Sequence, residues 1–326
     1  MNALLTQINE LYGLQLHSHE KVTKGFLSEN HILTQDDKKY FLKKYRFDNK
    51  ERIEEIHLVK KYFAQGGIPV ILPIINKKQE TFFLFNGGFF ALFPFIDEKQ
   101  LGRGSFTNTA ITSMGKMLGQ IHLLGKDATL QIKEKFKPWN KEKTLEKIDA
   151  IESEINKKPK LNDFDRLALD SIKTKKRLTL SNSITYEDLN LPSDHLIHGD
   201  YLDQNVFFGD DDKVSHVFDF EKTNYSPRMY ELFRSLMYGF LSGNISKEDI
   251  DKAKLYLNSY IKVYPISKDE TRRGLWLFYT KSIHGVWVES EHYLKNNDRV
   301  DVFLLNDFRR IQYLSEHFQE LENQLL

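Results

Sequence analysis

The chain has 326 residues, of which 40% are hydrophobic and 29% are charged, a composition typical of folded globular proteins rather than disordered ones. Lysine and arginine number 47 against 46 aspartates and glutamates, and this balance argues against nucleic acid or an anionic membrane as partners. The absence of cysteine excludes disulfides, thiolate metal ligands and a cysteine nucleophile. Residues 1–10 lack a signal-peptide pattern and no apolar run reaches the roughly 20 residues that span a bilayer, so we expect a cytoplasmic protein.

The first third of the sequence predicts short strands around one helix. The helix is expected at 52–65, because apolar residues recur there every three or four positions and Gly66 and Gly67 supply a stop. A turn-like stretch at 35–38 separates the first two strand patterns. The predicted strands lie at 22–33, 39–45, 68–75, 81–85 and 89–93.

The second part of the sequence is mainly helical in pattern. Thr107 can cap a helix with an apolar face, charged helical patterns follow it, and an aromatic-rich helix is expected at 275–288. Residues 196–220 return to short strands and tight loops. We therefore predict an α+β chain with a small antiparallel-sheet lobe and hinge at 1–96, which contains one helix, and a larger helical lobe at 97–326.

The most informative segment is 198–221, which carries a loop, an apolar strand pair and an acidic turn. Phosphoryl transfer needs a carboxylate that orients and deprotonates the attacking hydroxyl, together with oxygen ligands that hold magnesium across the phosphates. Asp200 would be that base, while Asn205 and Asp219 would hold the metal. A hairpin between them would bring both halves to the same end of the lobe. The structural alternative is a tight turn at 198–200 with Asn205 as its cap and Asp219 at a strand end.

In this segment His198, Gly199 and Asp200 are followed by four other residues and then Asn205, and the later strand ends in Asp219. The pattern resembles the catalytic and metal-binding loops of the aminoglycoside phosphotransferase and choline kinase superfamily. This resemblance implies a bilobal protein-kinase-like fold. It also implies a kinase that uses ATP and Mg2+ to phosphorylate a hydroxyl group of a small molecule. For His198 we expect a structural role, in which its hydrogen bonds hold the loop.

The same resemblance implies a nucleotide site in the first lobe. Residues 24–30 lie where the family has a phosphate-covering loop, so Ser28 and Asn30 are candidate contacts, although the loop has one glycine where many relatives have more. Lys43 matches the family position of the strand lysine that reaches the phosphates, whereas Lys44 would point to the opposite face. Both lysines would otherwise be ordinary strand-surface residues.

Two further nucleotide-site features are implied by the family. A glutamate that orients the lysine is expected on the next helix, where Glu54 and Glu55 both qualify, and Glu55 is favoured because it shares a face with Val59. Phe93 and Phe95 lie where the family's hinge presents backbone groups to adenine, although a buried strand end is compatible with the same position.

The acceptor is predicted to be a small molecule rather than a peptide. Protein kinases typically have an arginine before the catalytic aspartate, where this chain has Gly199, and about a dozen residues separate Asp219 from the next helical pattern. A sugar, an amino alcohol or an aminoglycoside-like antibiotic would fit, but cationic aminoglycosides need a conspicuously acidic pocket, which the sequence does not reveal. The alternative function is a nucleotide-binding pseudokinase that acts as a scaffold or regulator.

Candidate substrate contacts are Asp203, Trp287 and Glu289. Asp203 is either a solvent-exposed loop residue or a substrate contact. Trp287 belongs to the aromatic-rich helix, where a ring could stack on a sugar or face a cation. Glu289 could receive a substrate ammonium or hydroxyl group. The alternatives are that the Trp287 ring packs in the core and that the Glu289 carboxylate lies on the helix surface.

Overall fold

The computed structural model describes residues 2–22, 29–241 and 243–326. Its strands are β1 (Ser18–Val22), β2 (Asn30–Gln35), β3 (Lys38–Lys44), β4 (Phe83–Phe85), β5 (Gly88–Pro94), β6 (His195–Ile197), β7 (Val206–Phe208), β8 (Val214–Val217) and β9 (Asn224–Ser226). Its helices are α1 (Asn2–Tyr12), α2 (Lys50–Gln65), α3 (Asn108–Lys126), α4 (Lys141–Asn156), α5 (Asp163–Ser181), α6 (Arg228–Gly239), α7 (Lys247–Ile261), α8 (Lys268–Ile283), α9 (Trp287–Lys295) and α10 (Leu304–Leu325). Short 3-10 helices lie at Glu187–Leu189, Asp203–Asn205 and Asp298–Phe303. No helix within these described ranges combines the length and the apolar character that crossing a membrane requires.

Five strands form an antiparallel sheet in the order β1-β2-β3-β5-β4. Side chains alternate between its faces, so Leu42 and Leu92, which pair across β3 and β5, share one buried cluster with α1. The adjacent cross-strand pair, Lys43 and Ala91, faces the opposite side, where Ala91 packs in a cluster with Ile53 of α2. The sheet therefore lies between α1 and α2, and Lys43 lies on the α2 side.

This sheet and the mainly helical remainder confirm the predicted α+β fold class. Helix α1 is not among the predicted elements, because the sequence pattern indicates a single helix in the first part of the chain. Its buried residues Leu4, Leu5 and Ile8 follow helical spacing and cover the sheet. The described residues of the first part of the chain therefore form two helices rather than one.

The segment 68–75 is not a strand, and that prediction is wrong. Pro69 and Pro73 have no backbone N–H group, so the segment cannot build a full ladder of hydrogen bonds. Instead, the Ile71 N–H donates to the Val217 carbonyl at 3.1 Å, and the Val217 N–H donates to the Pro69 carbonyl at 2.8 Å. These bonds attach the chain that follows α2 to the end of β8.

The strands β6 and β9, and likewise β7 and β8, form antiparallel pairs beside the packed helices of the second part. Thr107 caps α3 as predicted, since its side chain accepts a hydrogen bond from the Ala110 N–H. Helix α3 then packs closely on α7, because a Cβ at Gly115 would lie only 2.4 Å from the Tyr256 carbonyl oxygen. A Cβ at Gly125 would likewise lie only 2.0 Å from the Leu196 carbonyl oxygen, so α3 also packs closely against β6.

The aromatic-rich stretch 275–288 belongs to two helices, so the prediction of one helix is wrong. Helix α8 ends at Ile283, Gly285 follows, and α9 begins at Trp287. Glycine is a poor helix former, which favours the break at this point. Phe278 is buried in α8, whereas Trp287 is 46% exposed.

Candidate active site

The loop of the predicted base leaves β6 and turns at Gly199. This residue has φ of 87°, and a Cβ there would lie 2.0 Å from the Lys222 carbonyl oxygen. Only glycine satisfies both conditions. The arginine that protein kinases carry at this position is therefore excluded by the backbone geometry. The turn is followed directly by Asp200, which is buried.

His198 holds this loop through both ring nitrogens. Its Nε2 donates to the Phe218 carbonyl at 2.8 Å, and its Nδ1 accepts from the Asp200 N–H at 3.2 Å. These two bonds require a neutral ring with its proton on Nε2. Burial lowers the pKa of His198, which favours the same neutral form. The contacts match the structural role that the sequence predicts for this residue.

Glu231 of α6 holds the same loop from the other side. Its carboxylate accepts backbone N–H groups from His198 at 3.0 Å, Gly199 at 2.5 Å and Tyr201 at 3.3 Å. Burial alone would raise the pKa of Glu231, but hydrogen bonds from His122 and the loop keep it below the ordinary value. A buried, ionised glutamate therefore fixes the backbone on which Asp200 lies.

Two cations contact the carboxylate of Asp200. Lys222 donates from Nζ to Oδ2 at 2.9 Å, and Arg234 Nη2 lies 2.6 Å from Oδ1. Burial would raise the pKa of Asp200, but the charges of Arg234 and Lys222 outweigh it and hold the pKa well below its usual range. Asp200 is therefore ionised at neutral pH, the state in which a carboxylate can accept a hydroxyl proton.

The sequence analysis does not identify Lys222 or Arg234. A signal for Arg234 exists, because it is the only charged residue within the apolar run 232–237 of a helix. A buried arginine of this kind needs a carboxylate partner. Lys222 is partly exposed in a loop, and nothing in the sequence distinguishes it from a surface lysine.

Asn205 connects the base to the second acidic residue. Its Nδ2 donates to the Asp200 carbonyl at 2.8 Å, and its own carbonyl accepts the Phe218 N–H at 2.9 Å. Asp219 follows with φ of 61°, an uncommon conformation for a residue other than glycine. Because Asn205 uses its amide nitrogen, its amide oxygen is available, and with the Asp219 carboxylate it forms the oxygen donor set that suits a hard divalent cation. These residues fit a magnesium ion.

Lys43 reaches this region from the sheet. Its ammonium group lies 2.8 Å from Asp219 Oδ1 and 2.9 Å from Glu221 Oε1, and it is almost fully buried. Arg46 Nε donates to the other oxygen of Glu221 at 3.0 Å. Burial would lower the pKa of Lys43, but the two carboxylates raise it above its ordinary value, and the lysine stays charged. Lys44 points away and pairs with Glu29 at 3.1 Å.

The glutamate expected on the next helix does not contact Lys43. Glu55 pairs with Arg52 at 3.2 Å and accepts the Lys133 N–H at 3.2 Å, while Glu54 pairs with Lys50 at 3.4 Å on an exposed face. Both candidates for this contact are therefore wrong. The physical reason is that Arg52 and Lys133 hold Glu55 at the edge of α2, whereas the segment after β8 supplies the carboxylates of Asp219 and Glu221. Asp219 and Glu221 are two positions apart, so in an extended segment their side chains can point to the same side. This spacing is the sequence signal for the two acids that pair with Lys43.

Lys60 occupies the face of α2 that is turned toward the site. It is 1% exposed, and its ammonium group lies 4.2 Å from the ring centre of Phe93 and 4.8 Å from that of Phe218. No carboxylate among the described residues lies within ion-pair distance of it. Burial and the charge of Lys43 lower the pKa of Lys60 to about 7. The sequence analysis does not identify this buried lysine.

The other predicted nucleotide contacts lie along the sheet. Asn30 begins β2 directly across from Lys43, and its buried Oδ1 has no hydrogen-bond partner. Phe93 is fully buried at the end of β5, so only its backbone could meet a base, and Phe95 follows that strand. Ser28 lies outside the described residues.

The predicted substrate contacts separate into two groups. Trp287 and Glu289 both line a cavity of ≈ 180 Å³ between α6, α8, α9 and α10. Glu289 is fully buried, not on the helix surface, and it binds Lys175 at 2.7 Å. Asp203 lies in the catalytic loop, where it accepts the Gln204 N–H at 3.0 Å and burial raises its pKa. Asp203 does not line that cavity.

Solved structures share this fold at low sequence identity. A microcompartment-associated aminopropanol kinase has a TM-score of 0.67 at 11% identity, with 99% of both chains covered. Spectinomycin phosphotransferase in complex with ADP and spectinomycin has a TM-score of 0.62 at 16% identity, covering 96% of this chain and 94% of that chain. Amicoumacin kinase hAmiN in complex with AMP-PNP, Ca2+ and Ami has a TM-score of 0.56 at 14% identity, covering 92% of this chain and 93% of that chain. The chain therefore shares its fold with these kinases.

A sequence model of the phosphotransferase enzyme family matches residues 18–258, which is more than half of the chain. The chain therefore belongs to that family. The predicted resemblance to the aminoglycoside phosphotransferase and choline kinase superfamily is confirmed. A comparison with curated proteins finds no match.

Proposed function

We propose that this enzyme is a kinase that requires Mg2+ and transfers the γ-phosphate of ATP to a hydroxyl group of a small molecule. The observation that carries the proposal is the convergence of polar residues from β3, the loop after β6 and the end of β8. Asn205 donates to the Asp200 backbone at 2.8 Å, and Lys43 contacts Asp219 at 2.8 Å. Two proteins of similar fold have been solved with ADP or with AMP-PNP and Ca2+, which supports a nucleotide and a divalent cation as ligands.

Each part of the chain has a role in this proposal. Residues 1–96 form the nucleotide lobe and hinge, and residues 97–326 form the lobe that contains the catalytic loop, the metal site and the substrate pocket. Lys43 binds the nucleotide phosphates as a buried point charge. The backbone of Phe93 and Phe95 receives the adenine. Ser28 and Asn30 would contribute further contacts to the phosphates.

Asp200 activates the hydroxyl group of the acceptor. It orients the hydroxyl group and takes its proton as the oxygen–phosphorus bond forms, while the bond from the γ-phosphorus to the bridging oxygen breaks and ADP leaves. Asn205 and Asp219 would hold the metal, which when bound neutralises charge on the phosphates. His198 and Glu231 keep the loop in place throughout, because their hydrogen bonds involve its backbone.

The test is ATP consumption against a panel of amines, sugars, acids and antibiotics that carry hydroxyl groups. Wild-type protein should form ADP with at least one acceptor, and Asp200→Asn should lose that transfer while it still binds ATP. Asp210→Asn, which changes an exposed turn residue, is the matched control and should be fully active. ATP binding without transfer to any acceptor would instead support a nucleotide-binding scaffold.

A further inference from the structure

The cavity that Trp287 and Glu289 line lies next to the predicted base. Its wall includes Tyr230 and Tyr238 of α6, which are eight positions apart on one face of that helix. Arg234 lies midway between them, and its guanidinium group is 5.2 Å from the ring centre of Tyr238 and 2.6 Å from Asp200. Arg234 therefore connects Tyr238 in the cavity wall with Asp200.

The size of the cavity limits its occupant. At ≈ 180 Å³ it is smaller than the roughly 300–1,000 Å³ typical of sites for drug-sized ligands. A compact metabolite of a few carbon atoms fits this space better than a multi-ring antibiotic.

The wall of this cavity has one more cation than it has carboxylates. Lys175, Lys281 and Arg310 line it together with only two carboxylates, Glu289 and Asp307. Each carboxylate is already paired, Glu289 with Lys175 at 2.7 Å and Asp307 with Arg310. Lys281 has no carboxylate partner among the described residues and donates only to the Lys137 carbonyl. The excess positive charge disfavours a cationic occupant and favours an anionic one.

Three buried polar atoms beside the cavity lack protein partners. Two are donors, Arg234 Nη1 and Arg310 Nε, and the third is an acceptor, Glu289 Oε2. A buried polar group without a partner costs on the order of 1–3 kcal/mol, so such atoms indicate where a ligand completes the hydrogen bonding. The Arg310 guanidinium group lies 4.0 Å from the centre of the Tyr238 ring in the cavity wall, where it can bind a carboxylate.

We infer that the acceptor is a small hydroxy acid whose carboxylate binds at Arg310 and Lys281, and whose second hydroxyl or amino group donates to Glu289. The inference rests on the proposed kinase function and specifies its substrate class. Arg234 then contacts both the base and the substrate, because Nη2 binds Asp200 and Nη1 is left to donate to the reacting hydroxyl. The hydroxyl at the other end of the acceptor extends toward Asp200.

The experiment compares acceptors that differ only in the charge of one terminal group. The first set is 4-hydroxybutanoate, butane-1,4-diol and 4-aminobutan-1-ol, and the second is gluconate, glucitol and glucamine. Binding is measured by calorimetry and transfer by ADP formation. Each charge-assisted hydrogen bond corresponds to roughly a 10- to 100-fold change in affinity, so an acid should bind at least about 10-fold more tightly than its neutral and amino counterparts.

Variants locate the binding site of the acid. Lys281→Gln and Arg310→Gln should each weaken acid binding about 10-fold and leave diol binding unchanged. Lys268→Gln, which removes an exposed charge from the same helix as Lys281, should change neither. Tighter binding of the diols or amines by the wild-type protein, or acid binding that neither variant weakens, overturns the inference.

The two proposals fail in different ways. Phosphate transfer to an amine or a neutral diol in preference to every acid would leave the kinase function intact and overturn the inference. Acid binding that depends on Lys281 and Arg310, without transfer to any acceptor, would support the anion site and overturn the kinase function.

Discussion

Lys43 Nζ and Asp219 Oδ1 lie 2.8 Å apart although 176 positions separate the two residues in the chain. The contact joins the sheet to the segment after β8, and Glu221 completes it with a second ion pair to the same lysine at 2.9 Å. The buried charge of Lys43 therefore lies directly beside the predicted metal ligand. Its position depends on acids from the other part of the chain rather than on a helix of the first part.

Replacement of Lys43 by methionine should lower kcat/KM for ATP by roughly 100-fold, because the phosphates lose a buried, charge-assisted partner. Lys44→Met is the matched control, since Lys44 is partly exposed on the opposite face and pairs only with Glu29. Steady-state kinetics at saturating acceptor measure both effects. A loss confined to Lys44→Met would mean that the strand presents the other lysine to the nucleotide.

Glu221→Gln should lower kcat/KM for ATP by about 10-fold. The amide keeps the size of the side chain but removes the charge that positions Lys43, and it weakens the contact with Arg46. Glu55→Gln tests the alternative in the same assay and should have less than about a threefold effect, because Glu55 contacts Arg52 and not the lysine. Equal losses for both variants would contradict the assignment of Glu221 as the positioning residue.

The contrast between Glu221 and Glu55 shows which parts of the candidate site could be predicted from the sequence. Asp200, Asn205 and Asp219 lie within 20 consecutive residues, so their chemistry can be recognised from spacing alone. The partner of Lys43 depends on the rotation of α2 against the sheet, which short-range patterns do not determine. The Arg52 guanidinium also donates to the carbonyl groups of Glu221 and Thr223, and these long-range bonds draw Glu55 away.

The fold, like the candidate site, could be predicted from the sequence only in part. Helical spacing and the Thr107 cap predict α3 well because both signals are local. The strand prediction at 68–75 is wrong because Pro69 and Pro73 remove two backbone donors from an otherwise apolar segment. The aromatic-rich pattern at 275–288 does not reveal the break between α8 and α9, although Gly285 marks it.

Gly199→Ala should destabilise the protein by about 3 kcal/mol and abolish transfer. The new Cβ would lie 2.0 Å from the Lys222 carbonyl oxygen, and the backbone φ of 87° disfavours any side chain. Gly209→Ala is the control, since its Cβ would meet only Asp211 Oδ1 at an ordinary 3.4 Å. Urea denaturation measures the free energy of unfolding of each variant. A fully stable Gly199→Ala would show that the loop can adopt another path.

Lys60→Met should stabilise the protein, by about 2 kcal/mol or more at pH 7, with a smaller gain at pH 9.5. The pKa of Lys60 falls from 10.5 to about 7 on folding, so between these values the unfolded chain binds more protons than the folded one. Wild-type stability therefore rises with pH across this range, and methionine removes that dependence. Urea denaturation at both pH values measures the effect, with the exposed neighbour in Lys61→Met as control. A gain that does not change with pH would show that Lys60 keeps its ordinary pKa.

Arg234→Gln should move the acidic limb of the pH–rate profile to higher pH by about one unit. The charge of Arg234 is the largest favourable influence on the ionised form of Asp200, ahead of Lys222, so its removal raises the pKa of the base toward the ordinary value. As pH falls, Asp200 of the variant then becomes protonated earlier and kcat/KM declines earlier. Measurement of kcat/KM from pH 2 to 7, beside the exposed control Arg309→Gln, tests this shift. A profile of unchanged shape, lowered equally at every pH, would mean that Arg234 orients the acceptor without affecting the ionisation of Asp200.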